Sequence, residues 1–231
     1  MDSAGMTVKN VDEIERLVRM SDGAKNGLGL APNVSQHSLN RLAWFDDADL
    51  VGLFDNYPRE RLRVWQSGGN LQNYTDWGPV DTTGVTGREM LDCLYKGSLW
   101  FNFQRIDLVD EKYRRVSERL YDEIAQQCRG FSVEFIHSYL LVSSPRAMVY
   151  LHIDAYENLL FVIRGGKIFY LSLSGRRAPD GPARDTRGHL RRVGGFLRVP
   201  ERVRTVGQGV HARAGPVPLL ASAFAPSHAK Q

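Results

Sequence analysis

Residues 150–171, YLHIDAYENLLFVIRGGKIFYL, set a histidine and an aspartate two positions apart in an apolar run, with a lysine beyond a Gly-Gly pair. On an extended strand, residues i and i+2 share a face, so His152 and Asp154 project together while Ile153 turns away. An imidazole and a carboxylate so placed are two of the three ligands of a 2-His-1-carboxylate facial triad. Such a triad holds Fe(II) on one side and leaves three positions open. The same tripeptide also reads as a His–Asp hydrogen bond at a strand end. Arg164-Gly165-Gly166-Lys167 has the form of a two-residue hairpin loop, in which glycine supplies the positive φ. In that register Arg164 and Lys167 oppose each other on one face. Facing inward, Lys167 is a buried cation that requires an anion, and the far carboxylate of a dicarboxylic acid serves. Facing outward, the two cations are a normal charged edge.

The elements that must position these groups are legible upstream. Val11, Ile14, Leu17 and Val18 fall on one helical face, predicting a helix over 11–20. Residues 46–56 read as a short helix closed by Tyr57-Pro58. Thr86 and Glu89 have the capping-box pattern, starting a helix to Tyr95 with Gly97 as its stop. Tyr113, Val116, Leu120 and Ile124 recur at helical spacing over 110–128, the longest predicted helix, ended by Gly130. The period then changes to two, and 131–143, 147–154, 158–164 and 167–172 read as strands. A helical N-terminal half leads into a sheet, with no internal repeat.

Composition bounds the class. The 231 residues are 42% apolar and 10% aromatic, as in a soluble globular protein with one core. MDSAGMTVKN has no cationic region before an apolar stretch, and no run is long and apolar enough for a membrane span, so a cytoplasmic protein is expected. Cys93 and Cys128 lack metal-knuckle spacing and read as small buried side chains. The net charge of +4 is unevenly placed. Residues 175–231 hold 11 Lys/Arg against 3 Asp/Glu, whereas residues 1–174 hold 19 against 23. That tail is rich in Arg, Gly, Pro and Ala and keeps no period for long. It reads as an RNA- or membrane-binding tail, as a solvated extension, or as a slipped reading frame.

The span H-x-D-x-x-x-N-x-x-x-x-x-R-G-x-K, from His152 through Asn158 to Lys167, resembles the JmjC-like branch of the cupin superfamily, especially the bacterial cupin-like domain group. It is similar in spacing to asparaginyl hydroxylases of the factor-inhibiting-HIF type. LLVSSPRAMVYLHID looks like the strand–turn–strand that delivers the metal motif there. DADLVGLFDNYPRERLRV and LYKGSLWFNFQRID look like the group's helical N-terminal layer, so the resemblance covers residues 35–172. It implies a mainly β core, a double-stranded β-helix behind a helical layer, with Fe(II) as cofactor and 2-oxoglutarate as cosubstrate. His152 and Asp154 match the first two iron ligands. Lys167 matches the lysine that pairs with the far carboxylate of 2-oxoglutarate, and Asn158 a polar residue lining the pocket.

The organisation expected is an extension with one helix at 1–34, a helical layer at 35–130, barrel strands at 131–174 and the basic tail at 175–231. Two departures stand against the resemblance. Val149 occupies a position where hydroxylases of this type often carry a threonine. The second histidine ligand belongs in a Pro-x-x-x-Pro-His-like segment downstream, where only His189, His211 and His228 are available. His228, in ASAFAPSHAKQ, has the nearest local likeness. With no sustained alternating run after Ser172, the barrel is expected to stay open and the chain to be an incompetent oxygenase. The readings are thus an Fe(II)/2-oxoglutarate-dependent hydroxylase of a protein or small-molecule substrate, a non-catalytic cupin-like binding or regulatory module, or a basic-tailed nucleic-acid binder. A nucleic-acid or membrane partner is not expected. Trp44, Trp65, Trp77 and Trp100, with Tyr57, Tyr74 and Tyr95, read as interlayer packing. His137 reads as a core or edge residue, His37 as a loop residue and Ser143-Ser144-Pro145 as a turn.

Overall fold

The computed structural model describes residues 8–28, 33–68, 74–149, 158–167 and 219–224, the last as backbone. The chain divides into two compact units, Met1–Gly166 with His211–Gln231, and Lys167–Val210. Apart from Lys167, the described residues all belong to the first.

The N-terminal segment contributes a two-stranded ribbon, β1 (Val18–Arg19) with β2 (Gln36–His37), and a short helix α1 (Asp22–Gly27) between them. There follow α2 (Asp47–Asn56), β3 (Leu62–Gln66), β4 (Gly78–Pro79), α3 (Gly87–Lys96), β5 (Leu99–Gln104), α4 (Ile106–Val109), α5 (Glu111–Gln127), β6 (His137–Ser143), β7 (Asn158–Arg164) and β8 (Leu219–Phe224). Helix and antiparallel sheet are mixed. β3 to β8 form one antiparallel sheet in the order β4-β3-β5-β6-β8-β7.

The helices start and stop where their caps dictate. The Asp46 carboxylate accepts the Asp49 N–H at 2.8 Å to open α2, and Tyr57 closes it. Thr86 and Glu89 satisfy each other's backbone N–H groups at the head of α3, and Gly97 caps its end. Asp110 opens α5. Gly130 stands beyond α5 at φ 77°, a conformation glycine adopts without steric cost. Each helix turns one stripe inward: Leu50 and Phe54 on α2, Met90, Leu91 and Leu94 on α3, Tyr113, Val116, Leu120 and Ile124 on α5.

These stripes bury one face of the sheet. Leu62, Phe103 and Leu140 lie opposite one another across β3, β5 and β6, as do Val64, Phe101 and Val142. Phe161 and Ile163 extend this buried face onto β7. Phe54 meets Phe101 and Phe103 at 4.9 and 5.2 Å between ring centroids. Tyr57 stands edge-on to Phe103, and its hydroxyl donates to the Gln104 carbonyl at 2.8 Å. Burial of these rings is the main term holding helices to sheet.

Several expectations are overturned. The helix predicted over 11–20 is a single 3-10 turn, Val11–Glu13, followed by extended chain. Val11, Ile14, Leu17 and Val18 are all buried as the spacing implied, but α5 supplies the partners a helix would have supplied internally. Arg119 donates to the carbonyls of Val11, Ile14 and Glu15. Glu123 accepts the N–H groups of Leu17 and Val18, and the Gln127 amide accepts from Met20 and donates to Val18. Positions 119, 123 and 127 are i, i+4 and i+8, one stripe of α5 reading the backbone of an extended segment.

The N-terminal half is also more than a helical layer, because β3, β4 and β5 belong to the sheet that β6 and β7 continue. The strand expected over 131–143 begins at His137, and 147–149 are not a strand. The tail, expected to add no strand, supplies β8, which pairs with β6 on one edge and β7 on the other. Cys93, expected to be buried, is exposed on α3, whereas Cys128 at the end of α5 is buried as expected. Trp44 donates its indole N–H to the Lys9 carbonyl and packs on Tyr113, in line with a packing role. Among the described residues, no helix is long and apolar enough to cross a membrane.

Candidate functional site

β7 is the element that connects the two halves of the motif. It begins at Asn158, four residues beyond Asp154, and ends at Arg164, before the Gly165-Gly166 pair and Lys167. It forms because NLLFVIR is a continuous apolar run with branched and aromatic side chains, suited to a strand with contacts on both faces. His152, Asp154, His189, His211 and His228 lie outside the described residues, as does the strand predicted over 167–172 beyond Lys167 itself.

The register places Asn158 opposite Phe224, which is opposite His137 on β6. Residues directly opposite share a face, so Asn158 and His137 stand on the side of the sheet away from the helices. Tyr139 and Leu141 on β6, and Trp100, Asn102 and Gln104 on β5, occupy that same side by alternation. Asn158 is exposed, and the others are half-buried. Trp77 stands edge-on to Trp100, with centroids 6.0 Å apart. One face of the sheet is thus dedicated to the helical core, and the other carries a mixed polar and aromatic set. Trp100, Asn102 and Tyr139 were not singled out as site residues from sequence. The alternation of LWFNFQ and HSYLLVS was the available signal.

Arg164 is the half-buried residue that ends β7. Its guanidinium donates to Asp47 Oδ1 at 2.6 Å, to the Phe45 carbonyl at 2.8 Å and to the Tyr95 hydroxyl at 3.1 Å, while Tyr95 donates to Asp47 Oδ2 at 2.6 Å. These partners belong to the helical layer. The cause is a register irregularity between Val162 and Arg164, which lets the consecutive residues Ile163 and Arg164 both turn to the helix side. Arg164 therefore ties β7 to α2 and α3.

Gly165 has φ 77°, the positive value that the turn was expected to demand. Beyond it, Lys167 is half-buried, and burial holds its ammonium below the ordinary lysine pKa. A cation whose charge is disfavoured by its surroundings gains from an anionic ligand. Ser144 serves structure: its hydroxyl accepts the Leu99 N–H and donates to the Leu94 carbonyl, locking β5 to the end of β6. Among the described residues, no group of three His, Cys, Asp or Glu side chains is gathered closely enough to hold a metal ion. No protein-family model, curated protein or solved structure matches the chain.

Proposed function

We propose that the chain is a hydroxylase dependent on Fe(II) and 2-oxoglutarate, with His152, Asp154 and His228 as the metal ligands and Lys167 as the anchor of the cosubstrate. The observation that carries this reading is the setting of β7. The metal-type motif runs directly into a strand whose first residue, Asn158, stands on the sheet face opposite the helical core. β8, far downstream in the chain, inserts between β6 and β7. A late strand returning between two earlier ones is the kind of winding that jelly-roll and double-stranded β-helix sheets use. β8 also ends at Phe224, four residues before His228, so paired backbone leads up to the third candidate ligand.

Lys167 is the described residue against which fit can be tested. Its ammonium, disfavoured by burial, suits the far carboxylate of a dicarboxylic acid. A centre of this type supplies oxidative decarboxylation of 2-oxoglutarate coupled to hydroxylation of a C–H bond. The protein's own share is to present two nitrogens and one carboxylate to the metal and to fix the cosubstrate by its far end.

The test uses the whole 231-residue chain with Fe(II), ascorbate and 2-oxoglutarate, measuring bound iron and succinate. The proposal expects about one equivalent of iron, as a three-ligand site requires, and succinate formation abolished by His152→Ala, Asp154→Ala or His228→Ala. Lys167→Ala should weaken 2-oxoglutarate binding by about 2–4 kcal/mol, the usual cost of removing one partner of a buried charge pair. Iron binding indifferent to all three ligand substitutions, or an unchanged affinity for 2-oxoglutarate in Lys167→Ala, would reject the corresponding roles. Binding of 2-oxoglutarate without iron or turnover would favour a non-catalytic module.

A further inference from the structure

We infer that His37 is a proton-operated latch that fastens the N-terminal ribbon to β7. Its imidazole bridges two parts of the chain that are 125 positions apart. Nε2 lies 3.0 Å from the Val162 carbonyl oxygen, and Nδ1 accepts the Leu39 N–H at 3.3 Å. The ring stands edge-on to Phe161, with centroids 5.7 Å apart and planes at 74°. A backbone N–H can only donate and a carbonyl can only accept, so one species serves both: the neutral ring with its proton on Nε2. A second proton would have to go on Nδ1, where the Leu39 N–H already points, and would set donor against donor.

The rest of the environment works in the same direction. Burial pulls the imidazole below its ordinary pKa, against a smaller opposing contribution from the Val162 carbonyl. The charged groups on the surrounding elements are Arg19 on β1, Arg41 in the turn after β2, Glu123 on α5 beneath β1, and Arg164 with its partner Asp47 at the end of β7. Glu123 is committed to Leu17, Val18 and Arg119, and Asp47 to Tyr95 and Arg164. Among the described residues, no carboxylate bonds the imidazole to stabilise its charged form.

The latch is attached to rigid structure at both ends. Ser38 donates its N–H to the Leu17 carbonyl at 2.8 Å, and β1 is held by Glu123 and Gln127 of α5. On the other side, β7 is the strand that links the His152/Asp154 motif to Lys167. Proton uptake at His37 therefore loosens the grip on that strand, whatever chemistry the motif performs. The sign follows from linkage. Above the ordinary histidine pKa of about 6.5 the free and latched forms are both neutral, and the latch has its full strength. As pH falls below that value, the free form takes up a proton that the latched form refuses. The opening equilibrium then rises by up to about tenfold per pH unit, until the latched ring itself titrates.

Hydrogen exchange on the full-length chain tests this between pH 7.5 and 5, with protection factors corrected for the intrinsic pH dependence of exchange. The Leu39 amide should lose protection by up to about tenfold per unit below pH 6.5, while amides within α3 hold theirs. His37→Gln, which retains a donor and an acceptor but does not titrate, should show no such slope. Equal slopes in wild type and His37→Gln, or a flat wild-type profile, would overturn the latch. An NMR titration of the wild-type imidazole is an independent check. A midpoint at or above the ordinary value, or a proton resting on Nδ1 at neutral pH, would overturn it as well.

Discussion

Glu123 is the residue whose substitution tests most directly why residues 11–20 are not a helix. It is only 8% exposed. One carboxylate oxygen accepts the N–H groups of Leu17 and Val18 at 2.8 and 3.0 Å, and the other accepts Arg119 Nε at 3.1 Å. Glu123→Gln preserves size but turns one oxygen into a donor. With the new NH2 toward the backbone, two N–H groups are left facing a donor. With it toward Arg119, that pair is lost and the two backbone bonds lose their charge assistance, at roughly 1 kcal/mol each. The second orientation costs less, because Arg119 is partly exposed and can recruit water, and the total comes to about 2–3 kcal/mol. Glu123→Ala strands all three donors and should cost about 3–5 kcal/mol. Urea unfolding followed by tryptophan fluorescence measures both, and amide exchange at Leu17 and Val18 shows whether the loss is local. If Glu123→Gln lies within about 0.5 kcal/mol of wild type, as an ordinary surface change would, the claim that α5 dictates the path of residues 11–20 is wrong.

Gly87→Ala should lower the melting temperature even though alanine gains about 1 kcal/mol of helix propensity. A Cβ there would stand 2.3 Å from the Val51 carbonyl oxygen and 3.0 Å from the Asp55 carboxyl carbon. Overpacking against backbone costs about 1–3 kcal/mol, so the clash wins, and an unchanged or raised melting temperature would show that the α2–α3 contact is not tight. Asp47 supplies a pH test. Burial alone would raise its pKa, but Tyr95 and Arg164 outweigh that and hold it below the ordinary carboxylate value. Its contribution is therefore complete above the unfolded-state pKa and is lost as pH falls through the lower folded-state value. Asp47→Asn should flatten this acid limb in urea midpoints taken from pH 6 to pH 2, and superimposable limbs would refute the assignment.

The parts of the fold that were legible in the sequence are those whose signals are local. Caps at Asp46, Thr86 and Asp110, and the stripes they introduce, set α2, α3 and α5 to within a residue or two of their observed ends. The failures have non-local causes. In residues 11–20 a correct apolar spacing was satisfied by extended chain, because side chains more than a hundred positions away offered its backbone better partners. LRVWQ and LWFNFQ alternate plainly enough to be strands, but the resemblance set them in a helical layer. The half-turn that takes Arg164 to Asp47 depends on one register irregularity, which the R-G-G-K spacing does not encode.

The tail is where this distinction bears on function. LLASAF lacks strict alternation and sits among Gly, Pro and Arg, so it does not read as a half-buried strand. Its place comes instead from its two neighbours, β6 and β7, whose backbones supply ladder partners on both edges. β6 and β7 are each antiparallel to β8, which lies between them and supplies a ladder to both. β8 is therefore what makes the second half of the sheet continuous. His228, the nearest local likeness to the second histidine ligand, lies outside the described residues. Phe224, four residues before it, is paired to both His137 and Asn158. Asn158 stands in the same rung, on the strand that follows the His152/Asp154 motif, so the segment leading to the third candidate ligand and the strand issuing from the first two are hydrogen-bonded neighbours.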